Sequence, residues 1–175
     1  MTSWHTDEGT TVGNPEREAD FTAYVQARQR HLARFAYLLT GDTHSAEDLV
    51  QSALAKVYRK WDSIHDSPDA YVRQVIVNEH RSWWRRTWRH QEVTGSDLIT
   101  YADPPAPADE HPDNDLRTLV RSLPRQQRAA IVLRYYEDLT EAQTAAVLGC
   151  SVGTVKSHTS RALKALRTTM KEVMP

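Results

Sequence analysis

Apolar residues recur at three- and four-residue spacings along most of this chain, a spacing typical of amphipathic helices. Over residues 21–39 one such series predicts a first helix, which Gly41 would end in a left-handed C-cap. Over residues 46–61 a second series predicts another helix, with Ser45 in a capping-box-like position at its start. Strand-type alternation is absent from the sequence. The pattern therefore predicts an all-α protein.

A third helix is predicted to begin at Ser67, with Pro68 in the first helical position. Its apolar stripe and its polar stripe fall on opposite sides of a helical wheel. The apolar stripe consists of Val72, Val75, Ile76 and Trp83, and the polar stripe of Gln74, Asn78, Arg81 and Arg85. Trp84 and Trp88 lie beside the polar stripe. Cations interleaved with flat rings suit a phosphate backbone and unpaired bases. The alternative is a helix end that packs its tryptophans and solvates its arginines.

The C-terminal part of the chain predicts four more helices. The first carries Leu116, Leu119, Val120 and Leu123, and the second begins at Pro124. In the third, Thr140 is the N-cap, Gln143 completes a capping box and Gly149 ends the helix. Ser151 caps the last helix, which is predicted to bury Val152, Val155, Thr159, Ala162 and Leu166. A short helix, a tight turn and a second helix form the helix-turn-helix arrangement.

The last helix has an outward face of small and basic residues. They are Gly153, Thr154, Lys156, Ser157, Ser160, Arg161 and Lys164, and no acid occurs between Gly149 and Arg167. Small side chains let a helix enter the major groove, and long cations reach guanine edges or phosphates. The face therefore indicates DNA binding, against the alternative of a helical hairpin that is simply basic.

Charge divides the chain into two basic modules and an acidic connector. Residues 21–89 hold eleven Lys/Arg and seven acids, and residues 116–175 hold ten Lys/Arg and four acids. Residues 90–115 hold seven acids and no Lys or Arg, with four prolines between Pro104 and Pro112. We expect residues 90–114 to be a flexible linker that lets the two modules move independently, and residues 1–20 to be a disordered extension. Residues 21–89 and 115–171 would be the two domains.

Other protein classes find no support in the sequence. No apolar run approaches the roughly 18 residues of a membrane span, and the first twenty residues lack the pattern of a secretory signal. The lone Cys150 suits a reducing cytoplasm, where we expect the protein to act. The eight histidines show no metal-ligand spacing, so we expect neither a metal, nor another cofactor, nor an enzyme such as a metal-dependent nuclease.

Three segments resemble conserved regions 2 and 4 of sigma-70-type transcription initiation factors. They are "SAEDLVQSALAKVYRKW", "DAYVRQVIVNEHRSWWRR" and "LPRQQRAAIVLRYYEDLTEAQTAAVLGCSVGTVKSHTSRALKALR". The absence of any other domain is typical of the extracytoplasmic-function (ECF) group, and the "RSWWR" helix end is similar to its SigE-like actinobacterial branch. The resemblance implies a factor that directs core RNA polymerase to promoters. Its implied partners are the β′ clamp helices and β flap of polymerase, promoter DNA and, as a candidate, an anti-sigma factor.

The resemblance also implies roles for individual positions. The implied contacts to polymerase fall on Asp48, Leu49, Gln51 and Ser52. The implied contacts to the −10 element fall on His65, Asn78, Arg81, Trp84 and Arg85. The implied contacts to the −35 element fall on Thr154, Lys156, Ser157, Ser160 and Arg161. The acidic connector matches the linker that threads polymerase near its active centre. An alternative function is a stand-alone helix-turn-helix regulator, which would usually dimerise on DNA half-sites.

Overall fold

A computed structural model describes residues 14–94 and 113–173 of the chain. Its seven α-helices are α1 (Pro15–Thr40), α2 (Thr43–Arg59), α3 (Pro68–Thr94), α4 (Asp113–Ser122), α5 (Arg125–Ile131), α6 (Glu141–Leu148) and α7 (Val152–Val173). A 3-10 turn follows α2 at Trp61–Ser63, and α5 continues into a π-helical segment, Val132–Tyr136. The described residues contain no strand, which confirms the all-α prediction. Within them, no helix is long and apolar enough to cross a membrane.

The first helix begins earlier than the sequence pattern predicted. Asn14 caps α1 by accepting a hydrogen bond from the backbone N–H of Glu16, and Pro15 occupies the first helical position. The expectation of a disordered extension over residues 1–20 is therefore wrong for its last six residues. Tertiary contacts account for the added helical turns, because the Trp61 indole N–H donates to the Asp20 carboxylate at 2.9 Å.

Local capping signals set most of the other helix ends. Gly41 ends α1 with φ +79°, and Ser67 accepts a hydrogen bond from the Ala70 N–H at 3.3 Å, both as predicted. The start of α2 differs. Asp42, rather than Ser45, is the N-cap, and its carboxylate accepts from the Ser45 N–H at 2.8 Å. An aspartate at this position accepts a hydrogen bond from a backbone N–H that has no partner within the helix. Its negative charge also interacts favourably with the positive end of the helix dipole.

The helix-turn-helix of the second module has the predicted caps. Thr140 and Gln143 form the complete capping box of α6, and Gly149 ends that helix with φ +64°. Ser151 then caps α7 by accepting from the Thr154 N–H at 3.1 Å. The predicted burial of Val152 is wrong, because its side chain is 39% exposed. It stands at the first position of α7, before the helix has turned its apolar stripe toward the core.

The two modules share one hydrophobic core. Leu32, Phe35 and Leu39 of α1 pack in a single buried cluster with Val132 and Leu133 of the second module. The sequence predicted modules that move independently, and the described residues instead pack against each other. Val132 and Leu133, which lie in the second module, are buried in this shared cluster. The connector residues 95–112 lie outside the described residues.

Candidate nucleic-acid interface

The polar stripe of α3 stands on a rigid base. Val72 and Ile76 are fully buried beneath it, while Asn78, Arg81 and Arg85 are exposed on the other side. The exposure of these residues agrees with the predicted polar stripe, and their role at the −10 element stays a prediction. Trp83 is half-buried and packs against the core, as its place on the apolar stripe predicted. The side chain of Trp84, also predicted at the −10 element, lies outside the described part of the structure, as does that of Trp88.

A buried carboxylate anchors this helix to α2. Glu79 accepts hydrogen bonds from Lys56 and, at 3.0 Å, from the Ser52 hydroxyl. Burial alone would raise the pKa of the Glu79 carboxyl, but the bonds from Lys56 and Ser52 and the Lys56 charge outweigh it and hold that pKa below its ordinary value. The network fixes α3 against α2 and thereby orients Asn78. A helical wheel places Glu79 within the apolar stripe, three residues after Ile76 and four before Trp83, so an acid among apolar positions was the signal that could have identified this buried carboxylate.

The residues predicted to contact polymerase divide into accessible and inaccessible positions. Asp48 and Gln51 are exposed on α2, in the geometry that a docking surface requires. Ser52 is half-buried and donates to Glu79, so it supports the helix pair. Leu49 is fully buried in the core. Its assignment as a contact residue is corrected accordingly: at the apolar seam of α2 it holds the helix in place and offers nothing to a partner.

The loop before α3 carries His65, predicted near the −10 element. His65 is exposed, between the 3-10 turn and the Ser67 cap of α3. His65 lies just before the start of α3 and therefore belongs to the same module as Asn78 and Arg85. The loop is therefore accessible to a ligand of that helix.

The outward face of α7 lies over a buried stripe. Val155 and Ala162 are fully buried, and Thr159 and Leu166 are nearly so. On the other side Lys156, Ser160 and Arg161 are exposed, while Thr154 and Ser157 are half-buried. The Lys156 ammonium lies 3.7 Å from the Glu141 carboxylate, a loose ion pair between exposed groups that a phosphate could replace.

The polar stripe of α3 faces the helix-turn-helix rather than open solvent along part of its length. The Gln74 amide donates to the Val147 carbonyl at 3.1 Å and to the Asn78 side-chain oxygen at 3.2 Å. A Cβ built on Gly149 would lie 3.3 Å from the Arg81 guanidinium. The positive φ of this turn favours glycine, which also leaves room for the Arg81 guanidinium. The end of α6 and the following turn thus partly cover the polar stripe of α3.

A charged cluster fastens the modules at the opposite end of the shared core. The Glu137 side chain is only 4% exposed, and its two oxygens lie 2.6 Å from the Arg73 Nε and 2.8 Å from the His31 Nε2. The His31 ring also stacks on Tyr136, with 5.2 Å between ring centres. We call this set, Glu137 with Arg73, His31 and Tyr136, the latch. The sequence did not predict the latch, because its members are distant in sequence. Arg73 and Glu137 are 64 residues apart, and His31 and Tyr136 are 105 residues apart.

Comparisons with known proteins agree with this division of the chain. Residues 24–90 match the family model described as Sigma-70 region 2, and residues 113–166 match that described as Sigma-70, region 4. The RNA polymerase sigma-E factor of Streptomyces coelicolor is 40% identical over 151 residues, covering 85% of this chain and 84% of the relative. The protein of the same name from Streptomyces avermitilis is 39% identical over 151 residues, covering 85% and 83%.

Solved structures give the same result. The sigma factor RpoE from Bartonella quintana, crystallised with the anti-sigma factor NepR, matches with a TM-score of 0.69 and 31% identity, covering 87% of this chain and 97% of that one. CnrH, in complex with the cytosolic domain of CnrY, shares the fold with a TM-score of 0.60 and 20% identity, covering 91% of each chain. With region 2 and region 4 in order and sigma-E relatives along most of its length, the chain belongs to the ECF group of the sigma-70 family of RNA polymerase sigma factors.

Proposed function

We propose that this protein is a transcription initiation factor that binds core RNA polymerase and directs it to promoters with specific −35 and −10 elements. The observation that carries the proposal is one chain with two exposed polar and basic faces suited to DNA, on α3 and α7, beside a distinct exposed surface on α2. A stand-alone regulator needs only one DNA-binding helix pair and a dimer contact. Two unlike faces on one chain suit a protein that reads two elements while a larger partner sets their spacing.

Polymerase docking is assigned to α2 and to the second module. Asp48 and Gln51 are exposed on α2. They are the groups that the β′ clamp helices would meet, and the second module would meet the β flap. The buried Leu49 and the Ser52–Glu79 hydrogen bond keep α2 rigid, which lowers the conformational entropy lost on binding.

Promoter recognition is divided between the modules. Asn78, Arg81 and Arg85, with Trp84 and His65, would hold the −10 element and favour its strand separation, because a polar face beside a ring can accept an unstacked base. On α7, Arg161 is the long donor among small neighbours and is suited to a guanine edge. The other residues proposed for the −35 element are Thr154, Lys156, Ser157 and Ser160.

The closed packing of the modules gives polymerase a second role. Gln74 and Arg81 contact the helix-turn-helix, so the −10 face cannot receive DNA along its full length until the second module leaves. Polymerase surfaces that bind the two modules at separate places would favour the open arrangement by mass action. The free protein should therefore bind promoter duplex poorly, because the second module partly covers the −10 face.

The proposed setting is the cytoplasm, where polymerase and DNA are found. An anti-sigma factor is a further proposed partner, because the related RpoE and CnrH structures are complexes of a sigma factor with NepR and with the cytosolic domain of CnrY respectively. Because the chain belongs to a family of transcription initiation factors, we propose that it acts without a catalytic activity of its own.

Run-off transcription tests the proposal directly. Core RNA polymerase is assayed on a library of promoter fragments with and without this protein, and with a variant in which the exposed residues Asp48 and Gln51 are both replaced by alanine. We expect discrete transcripts that share a −35 and a −10 element only when the unaltered protein is present. Circular dichroism would show that the variant folds normally. Sequence-specific DNA binding by the free protein, with no change in polymerase activity, would establish the stand-alone regulator instead.

A further inference from the structure

A cavity of about 350 Å³ lies between the two modules. Its volume is within the range of small-molecule sites. Arg81 and Arg85 of α3 enter it from the first module, and Arg125 and His158 enter it from the second. Among the described residues that line it there is no aspartate or glutamate. The cavity therefore collects positive charge from both modules.

The charges are close enough to interact. Burial and then the positive charges of Arg128 and Arg81 lower the pKa of the Arg125 guanidinium to about 9. Arg125 is held in place by a hydrogen bond to the His80 carbonyl across the module boundary, at 3.3 Å. Closing the modules thus brings like charges together in a partly desolvated space, where each repels the other more than it would in water.

One buried nitrogen at the cavity has no protein partner. His158 lines the cavity, and its Nδ1 atom is buried with no hydrogen-bond partner in the described part of the chain. A buried polar atom without a partner costs free energy unless a ligand or water meets it. Guanidinium groups from two directions and an imidazole nitrogen together match the oxygens of a phosphate group.

We propose that this cavity is a binding site for a small polyphosphate anion, which contacts Arg81 and Arg85 on one module and Arg125 and His158 on the other. The bound anion neutralises the repulsion between the modules and bridges them, so it stabilises the closed arrangement. A DNA duplex, whose major groove alone is about 12 Å wide, is far too large to enter. The proposal does not rest on promoter recognition, because it concerns the free, closed protein.

Cys150 provides a direct readout. It is the only cysteine in the sequence, it is half-buried, and it lines the cavity. The assay is the rate at which iodoacetamide, an uncharged reagent, alkylates Cys150 in the full-length protein as pyrophosphate is added at constant ionic strength. Pyrophosphate should slow alkylation at least about fivefold at saturation. Chloride at the same ionic strength should leave the rate unchanged.

Two variants and a control locate the site. Arg125→Gln and Arg85→Gln should each raise the pyrophosphate concentration for half-protection about tenfold, the loss of one charge-assisted contact. Arg85 is exposed, so its replacement leaves the fold intact even if the Arg125 variant unfolds. Arg167→Gln removes the same charge from an exposed position late in α7 and should not change the protection.

Three results would overturn the proposal. The first is a rate that pyrophosphate leaves unchanged. The second is protection that the Arg85 and Arg167 variants lose equally, which would indicate a diffuse ionic effect. The third is equal protection by non-promoter duplex DNA at the same phosphate concentration, lost equally in the Arg85 variant. That result would make the arginines part of a DNA-backbone surface in an open protein.

Discussion

Replacing Glu137 by glutamine should open the protein. The substitution keeps the side-chain shape but removes the negative charge that the latch places against Arg73 and His31. A net contribution of about 1.5–3 kcal/mol is typical of a hydrogen bond to a charged group. The His31 contact lacks hydrogen-bond geometry and its side chain is 43% exposed, while the Arg73 Nε–H donates to the carboxylate and keeps a neutral acceptor in the variant. We therefore expect a loss of about 2–3 kcal/mol from the closed arrangement, equivalent to a shift of about 30- to 150-fold toward the open one.

Promoter affinity of the free protein reports this shift. When only the open fraction binds DNA, the apparent dissociation constant equals the intrinsic one divided by that fraction. Fluorescence anisotropy with a labelled promoter duplex should therefore show affinity that rises by up to the same factor in Glu137→Gln. Asp138→Asn is the matched control. This substitution removes one negative charge from the neighbouring residue, which is exposed. Asp138 has a φ of +52°, a backbone conformation that asparagine tolerates.

Equal affinities of the Glu137→Gln variant and the Asp138→Asn control would refute the reasoning. The gain would then come from lost repulsion between the protein and DNA rather than from opening. Unchanged affinity in both variants would show that the closed packing does not limit DNA binding.

Three further predictions concern the DNA faces and the core. Arg161→Ala should lower promoter-directed transcription and relax specificity at one −35 position by about 1–3 kcal/mol, and equal losses on every promoter variant would mean that Arg161 contacts phosphate alone. The double variant Asn78→Ala, Arg85→Ala should assemble with polymerase but fail to start transcription on duplex promoters. It should recover part of its activity on templates mismatched across the −10 region. Equal activity on both templates would contradict a role of these residues in melting. Burial, with the charges of Arg125 and Arg128, lowers the pKa of His80 to about 3. The unfolded state therefore binds a proton that the folded state does not, and the free energy of unfolding should fall as pH falls from about 6.5 to 5, by up to about 1.4 kcal/mol per pH unit. His80→Gln should flatten that slope in urea titrations, and an unchanged slope would show that His80 is protonated in the fold.

Local signals in the sequence were sufficient for most of the fold. Gly41, Thr140 and Gly149 cap helices through contacts within a few residues, and these contacts are visible as sequence patterns. The α7 face was predicted for the same reason, since burial at Val155 and Ala162 follows the helical period. Only the first position of α7, where the period has no preceding turn, was wrong.

The closed arrangement could not be predicted in the same way. Glu137 meets Arg73 and His31 only after the modules pack together, and no periodicity connects residues so far apart in sequence. The error at Leu49 has another origin. Its place in the apolar series of α2 indicated burial, whereas the family resemblance assigned it a partner contact, and the local pattern was the better guide. The third helix, α3, was predicted correctly as a helix, but not as a surface that the second module partly covers.

The distance between the modules tests the central claim most directly. Ala55 on α2 and Ala165 on α7 are both exposed and can be replaced by labelled cysteines in a Cys150→Ser background. Pulsed electron spin resonance then gives the distance distribution between the labels in the free protein and in its complex with core RNA polymerase. We predict one narrow, short distance for the free protein and a clearly longer one in the complex. The same distribution in both states, or a broad one in the free protein, would contradict a closed factor that polymerase opens.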